Sequence, residues 1–184
     1  MVELVPLSVS DGPRILRWRN DPGISRFMYT DHVISEAEHA AWLEAAIHDD
    51  AQRHWVIHLD GEPVGLASIT RIDRVHSSAE WAFYLASPEV RGRGVGSVVE
   101  YRVLECVFRE LALERLSCAV LAFNEAVVAM HESFGFTREG TLRSAIRKSD
   151  GRVDVVLMGQ LRDEWMARRD THRAALLDRG LIEA

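Results

Sequence analysis

The segment Arg91-Gly92-Arg93-Gly94-Val95-Gly96-Ser97 carries the strongest chemical signal in this 184-residue chain. It lies between an alternating, strand-like stretch and an apolar stripe of helical spacing, so it reads as a strand-to-helix junction. Glycines let a backbone come close to a ligand, and the first amides of the following helix have no partners inside it. With the helix dipole behind them, those amides make an anion site suited to a pyrophosphate. A plain turn is the alternative, but two arginines beside three glycines exceed what a turn needs. Gly92-x-Gly94-x-x-Ser97 nearly matches the dinucleotide fingerprint. That fold, however, places the loop after the first strand of a βαβ unit, with an acidic residue ending the next strand. Here several antiparallel-type strands precede the loop, and Phe123 ends the next one. No Lys-Ser or Lys-Thr pair closes it as in a P-loop. No Ser-His-Asp order and no metal-binding cluster stands out.

These residues need a frame. Val2 to Val9 is short and β-like, Ser10-Asp11-Gly12-Pro13 marks a helix entry, and a short helix runs through Ile15, Leu16 and Trp18. Ser35-Glu36-Ala37-Glu38 reads as a capping box opening a helix to about Ile47, with Ser35, His39, Trp42 and Ala46 on one face. His54 to Leu59 and Pro63 to Ile72 form a hairpin at Asp60-Gly61. Ala79 to Ala86 alternates, with Glu80, Ala82 and Tyr84 on one side and Trp81, Phe83 and Leu85 on the other. The helix after the glycine loop, striped by Val95, Val99, Val103 and Cys106, runs to about Leu111. Leu116 to Phe123 reads as a buried strand. Asn124 caps a helix that Gly135 ends in the left-handed conformation. Phe136 to Ile146 and Val153 to Gln160 form a second hairpin around Asp150-Gly151. A charged helix from Leu161 to about Leu177 follows. The order predicts a mixed α/β sheet in a single domain, 1–184, with a helical extension from about residue 161.

Composition narrows the function. Apolar residues at 47% and charged residues at 27% exclude disorder throughout, and a net charge of −6 argues against a nucleic-acid partner. Two cysteines, Cys106 and Cys118, are too few for a disulfide framework. No apolar run approaches the ~18 residues of a membrane span, and no signal peptide is visible. The expectation is a cytoplasmic protein with no membrane partner. Leu176, Leu177 and Leu181 leave two options for the terminal helix, its own sheet or a second copy in a homodimer.

Arg91-x-x-Gly94-x-Gly96 at a strand–helix junction, a strand ending at Asn124, and Met130-His131-Glu132-Ser133-Phe134-Gly135-Phe136 together resemble the GNAT family of acyl-CoA-dependent N-acetyltransferases. The element order is similar over about residues 2 to 165. The resemblance implies a GNAT fold: a mostly antiparallel, seven-stranded mixed sheet, splayed between two central strands and flanked by helices. It implies acetyl-CoA or another short acyl-CoA as co-substrate, and no metal. The pyrophosphate would be held by Arg91, Gly92, Arg93, Gly94, Val95, Gly96 and Ser97. Leu85 and Ser87 would give backbone contacts, and Asn124 would lie against the pantetheine arm.

In that family a tyrosine on the helix before the Gly-Phe pair usually protonates the leaving thiolate, and this chain has His131 there. The departure has a chemical cost. A histidine of ordinary pKa is only about a quarter protonated at pH 7, whereas a tyrosine keeps its proton. A hydrogen-bonded interior histidine is the alternative role. By the same resemblance Glu80 is the candidate base, against a strand-edge surface carboxylate. Ser68 could offer its hydroxyl to the acceptor amine or an ordered water, against a solvated or packed serine.

The amino-terminal third resembles the N-acetyltransferases of the pseudaminic-acid pathway. The likeness runs through Arg17-Trp18-Arg19-Asn20, Phe27-Met28-Tyr29, Ile34-Ser35, Glu38-His39 and Trp42, then Ser68-Ile69-Thr70-Arg71-Ile72 and Tyr84. It implies transfer to the 4-amine of UDP-4-amino-4,6-dideoxy-N-acetyl-β-L-altrosamine, for flagellin glycosylation. Arg19, His39 and Arg71 would neutralise the diphosphate, Trp42 and Tyr29 stack on uracil, and Met28 with Tyr84 line the sugar methyl. Asn20 and Thr70 belong to the same pattern. Trp42 and Met28 also suit a core, and Arg19 a solvated surface. Glu139-Gly140-Thr141-Leu142-Arg143 and Asp154 resemble the ribosomal-protein alanine acetyltransferases, the runner-up. A binding module without catalysis is the reading from another class. Small Ala67 and Ala82 leave room for an acyl group longer than acetyl.

Overall fold

The computed structural model describes residues 1–90 and 92–183. Among them seven strands make one sheet: β1 (Val2–Pro6), β2 (Arg53–Leu59), β3 (Glu62–Asp73), β4 (Ser78–Leu85), β5 (Arg115–Leu121), β6 (Thr137–Lys148) and β7 (Gly151–Leu161), in the order β1-β2-β3-β4-β5-β7-β6. Helices α1 (Gly12–Asn20), α2 (Pro22–Ser25) and α3 (Glu36–His48) precede β2. Helix α4 (Val95–Glu105) links β4 to β5, α5 (Glu125–Phe134) follows β5, and α6 (Arg162–Asp178) follows β7.

The hairpin of β2 and β3 turns where expected, because Asp60 and Gly61 both take positive φ, 54° and 84°, as a tight turn with right-handed twist demands. The pairing that decides function is the weakest one. β4 and β5 are parallel and meet only at Ser78–Arg115, Ala79–Leu116 and Glu80–Ser117. Past Glu80 the two strands part, leaving the Trp81–Leu85 edge of β4 open toward β5. This is the expected splay between two central strands.

The alternation of β4 sets the layers. Trp81 is buried in the main core with Val95, Val98, Val99, Val103 and Leu104 of α4, Leu116, Met158 and Trp165, and Phe83 packs at its margin. The opposite face carries a smaller cluster of Ile15, Val56 and Leu66, flanked by Trp18, Trp42 and Tyr84, under α1 and α3. Leu176 is buried and Leu181 packs on the main core, so the terminal helix lies on its own domain.

Several boundaries differ from expectation. β1 stops at Pro6, because Ser8 and Asp11 bond each other's neighbourhood in a short 3-10 turn. The α-helical part of the glycine-loop helix ends at Glu105 and gives way to a π-helical turn, Cys106–Glu110. That wider turn lets three consecutive residues, Cys106, Val107 and Phe108, all face the core. The second hairpin turns at Ser149-Asp150, since Lys148 still pairs with Gly151. The Ser35 box is half formed: its hydroxyl accepts from the Glu38 amide, but the Glu38 carboxylate bonds His32 instead. No helix among the described residues is long and apolar enough to cross a membrane.

Candidate active site

Gly94 caps α4 in the left-handed conformation at φ 80°, and Gly92 takes φ 76°. The glycine loop thus brings the first turn of α4 to the border of the wedge between β4 and β5. A Cβ on Gly94 would meet Leu181 Cδ1 at 2.5 Å, and one on Gly96 would meet Met130 Sδ at 3.1 Å. The loop is therefore closed in by side chains on one side and open to the wedge on the other.

That wedge is a cavity of about 760 Å³. Of the residues expected to hold an acyl-CoA, Leu85, Gly92, Gly94, Val95, Gly96, Ser97 and Asn124 line it. Arg91 lies outside the described residues. Arg93 is exposed and faces Asp60 at 3.7 Å, and the Ser87 hydroxyl accepts from the Glu89 amide; neither side chain lines the cavity. Asn124 makes no side-chain cap to α5; its carbonyl serves the first turn instead. Arg179, beyond α6, lines the cavity beside Gly94, a contribution that sequence reading did not anticipate.

His131 lines the same cavity from the last turn of α5 and is 3% exposed. Its ring centroid stands 5.1 Å from Trp81, 5.3 Å from Phe136 and 6.5 Å from Phe83. Its Nδ1 lies 2.8 Å from Oε1 of Glu100, a carboxyl with no solvent exposure. Burial pushes the Glu100 pKa up, while the hydrogen bond and charge of His131 oppose that shift. Glu100 was missed from sequence. The available signal was an acidic residue set among the apolar positions of that helix, since Val98, Val99, Tyr101, Val103 and Leu104 are buried with it.

Glu80 sits across from Thr70 in the β3–β4 register, half exposed, with Arg71 Nη1 3.3 Å away. Tyr29 faces this corner, its pKa raised by burial and then by the charge of Glu80. Ile24, Phe27, Met28, Ala82 and Tyr84 complete the wall. Burial likewise raises the Tyr84 pKa, partly offset by Arg19.

The remaining expected residues divide among other places. Arg19, His39 and Trp42 line a separate pocket of about 150 Å³ with Ile15, Thr30, Ile34 and Glu38. There His39 Nε2 bonds the Gly12 carbonyl and its ring stacks on Trp42, covering one indole face. Asn20 is held on both sides of its amide by the Ile34 backbone. Arg71 is outside the cavity, with its side chain 77% exposed and its φ at 52°. Arg19, His39 and Arg71 therefore do not form one diphosphate clamp, because His39 and Asn20 fasten the α1–α3 loop. Ser68 Oγ lies 2.8 Å from His54 Nδ1, outside the cavity lining, so the expectation that it serves the acceptor is not met. Ala67 is buried on the α4 side of the sheet; Ala82 alone of the two small residues borders the cavity.

The sequence profile described as acetyltransferase (GNAT) domain matches residues 2–137. The chain belongs to the GNAT acetyltransferase family. This acetyltransferase is 26% identical over 176 residues to spermidine N(1)-acetyltransferase of Escherichia coli K12, covering 96% of this chain and 94% of that protein. It is 26% identical over 123 residues to acetyltransferase PseH of Campylobacter jejuni, covering 67% and 74%. The crystal structure of Vibrio cholerae spermidine N-acetyltransferase with CoA and spermine superposes with a TM-score of 0.83 at 26% identity, over 90% of this chain and 98% of that one. The acetyltransferase is thus an acyl-CoA-dependent N-acyltransferase, and the start of α4 suits the co-substrate: Gly92, Gly94, Val95, Gly96 and Ser97 all border the wedge. Among the described residues no group of His, Cys, Asp or Glu is arranged to hold a metal.

Proposed function

We propose that the protein transfers an acetyl group from acetyl-CoA to the amine of a nucleotide-linked 4-amino-4,6-dideoxy sugar, as in pseudaminic-acid synthesis. One observation carries this choice. Among the described residues lining the cavity, Glu80 is the single acid, and it already faces Arg71. A polyamine bears several ammonium charges, and burying each without a carboxylate is costly. A sugar bearing one amine needs one carboxylate and an apolar wall, which Met28, Ala82 and Tyr84 supply. Arg19, whose buried Nε has no partner, adjoins Tyr84, itself buried with an unpartnered hydroxyl. That cation lies in the adjoining pocket behind the cavity wall, where its charge opposes the ammonium groups of a polyamine.

In this reading the open edge of β4 aligns the thioester arm, and the α4 amides with Gly92, Gly94 and Ser97 hold the pyrophosphate. Glu80 accepts the amine's proton, directly or through water, and Thr70 and Tyr29 orient the acceptor. His131 protonates the departing thiolate. The attack is direct, within a ternary complex, so positioning supplies most of the rate.

The polyamine reading is favoured by one finding, the likeness to spermidine acetyltransferases along nearly the whole chain. Thiol release from acetyl-CoA decides between them. The amino-sugar nucleotide is expected to exceed spermidine and an amino-terminal peptide in kcat/KM by ~100-fold or more. A spermidine rate equal to or above it overturns the choice, and no release with any amine supports a binding module instead. His131→Phe is expected to lower kcat by ~10²-fold; an unchanged rate removes His131 from the chemistry. Mass spectra of products from an acyl-CoA series check the preference for acetyl.

A further inference from the structure

Glu100 poses a problem that acyl transfer by itself does not explain. It lies fully inside the protein, its Oε2 has no partner, and its Oε1 meets only His131. Trp81, Phe83 and Phe136 form the shell around the imidazole. In such a setting a carboxylate beside a neutral imidazole leaves one uncompensated negative charge, which burial strongly disfavours. One more proton makes the pair neutral overall, either as imidazolium with carboxylate or as neutral imidazole with carboxylic acid. In both forms Nε2 carries a hydrogen.

We infer that Glu100 is a positioning residue that stores this second proton with His131, so that the pair presents an Nε2–H donor to the thiolate at neutral and mildly alkaline pH. The arrangement supplies from two residues what a tyrosine holds alone. The inference rests on the acyl-CoA reading of the cavity. During transfer the amine nitrogen bonds to the acyl carbon and the carbon–sulfur bond breaks with its electron pair going to sulfur. The Nε2 proton moves to sulfur, leaving neutral imidazole with Nδ1–H donating to the Glu100 carboxylate. The amine's surplus proton leaves by the Glu80 side, and solvent reprotonates the pair when product departs.

The surroundings reinforce the neutral pair. His131 sits in the last turn of α5, where the helix carbonyls favour a cation. From β5 the nearby Cys118 thiol is held protonated, its pKa raised by burial and by the charges of Glu100 and Glu139. Glu80 on β4, Tyr29 in the loop after α2 and Arg179 beyond α6 border the same cavity. Among the described residues none of them is hydrogen-bonded or ion-paired to Glu100 or His131.

Nitrogen-15 NMR of the His131 imidazole, titrated in the intact protein without any acceptor, reads the inference directly. The expected wild-type spectrum shows Nε2 carrying its proton at pH 8, whereas that of Glu100→Gln shows it lost there. At pH 8 the variant's kcat is expected to fall ~10²-fold with unchanged acetyl-CoA affinity by calorimetry, and the deficit narrows toward pH 6. His131→Tyr placed on Glu100→Gln is expected to recover rate at pH 8, since tyrosine carries its own proton. A wild-type Nε2 without its proton at pH 8 overturns the inference, whether or not the variant folds. A variant with the wild-type pH profile does the same. The spectrum needs no acceptor, so failure of the amino-sugar assay and failure of this inference remain separate outcomes.

Discussion

Lys148 Nζ sits 3.0 Å from Asp31 Oδ1 and 2.8 Å from the Met28 carbonyl, 120 residues earlier in the chain. The carbonyls of Ser25 and Thr30 lie within 3.5 Å, and the Lys148 side chain is 6% exposed. The second hairpin therefore reaches across the sheet and fastens the loop carrying Met28 and Tyr29. The acceptor wall is held from outside its own segment.

Lys148→Met is expected to loosen that wall. The acceptor KM should rise ~10-fold while acetyl-CoA affinity stays constant, and stability should fall by ~1–3 kcal/mol from the unpaired carbonyls. Hydrogen bonds from Lys148 and the Ser149 amide hold the Asp31 pKa below its ordinary 3.8. A depressed carboxyl contributes stability that is complete above its unfolded value and lost as pH falls through the folded one. The Tm gap between wild type and Asp31→Asn should thus be constant above about pH 5 and close below ~3.8. Calorimetric scans across pH check it.

Gly94→Ala combines a left-handed backbone with a Cβ placed 2.5 Å from Leu181. Gly92→Ala meets open space and carries only the backbone strain of ~1–2 kcal/mol. Acetyl-CoA titration calorimetry should show Gly94→Ala weakening binding by more than ~10-fold and by more than Gly92→Ala does. Equal losses would mean that strain alone matters.

Gly180 takes φ 62° after α6, with Gly180 N–H bonded to the Leu177 carbonyl and Leu181 N–H to Leu176. This reversal drops Leu181 onto Gly94 and leaves Arg179 bordering the cavity. Arg179→Ala is expected to weaken acetyl-CoA about 5-fold at low salt and less at high salt, as a phosphate contact requires. Salt-independent loss in a binding titration would assign Arg179 a packing role instead.

Glu105 accepts from Trp165 Nε1 at 3.0 Å, Arg169 Nη2 at 2.9 Å and Arg109 Nη1 at 2.9 Å, tying α6 to α4. Burial raises its pKa, but the Arg169, Arg109 and Trp165 hydrogen bonds outweigh it, so the net shift is downward. Glu105→Gln should cost ~1–3 kcal/mol at pH 7 by urea unfolding. Since the folded pKa is depressed, that difference should fade as pH drops below about 4.5.

Near neighbours in the chain announced much of this enzyme. The Asp60-Gly61 and Gly135 positions, the two faces of Trp81–Leu85 and the glycine-led entry to α4 follow from backbone freedom and side-chain period, which act over a few residues. The partnerships did not follow. Glu100 reads as one charge on a helix until α5 sets His131 against it, and Lys148 reads as a turn lysine until the loop holding Asp31 folds over it. Ser68 was taken by His54, and of the residues grouped around a diphosphate Arg19 and His39 share a small pocket while Arg71 lies exposed. Which polar groups meet depends on strand register and on how the layers stack, and the desolvation that gives such meetings their energy exists only once the chain is packed.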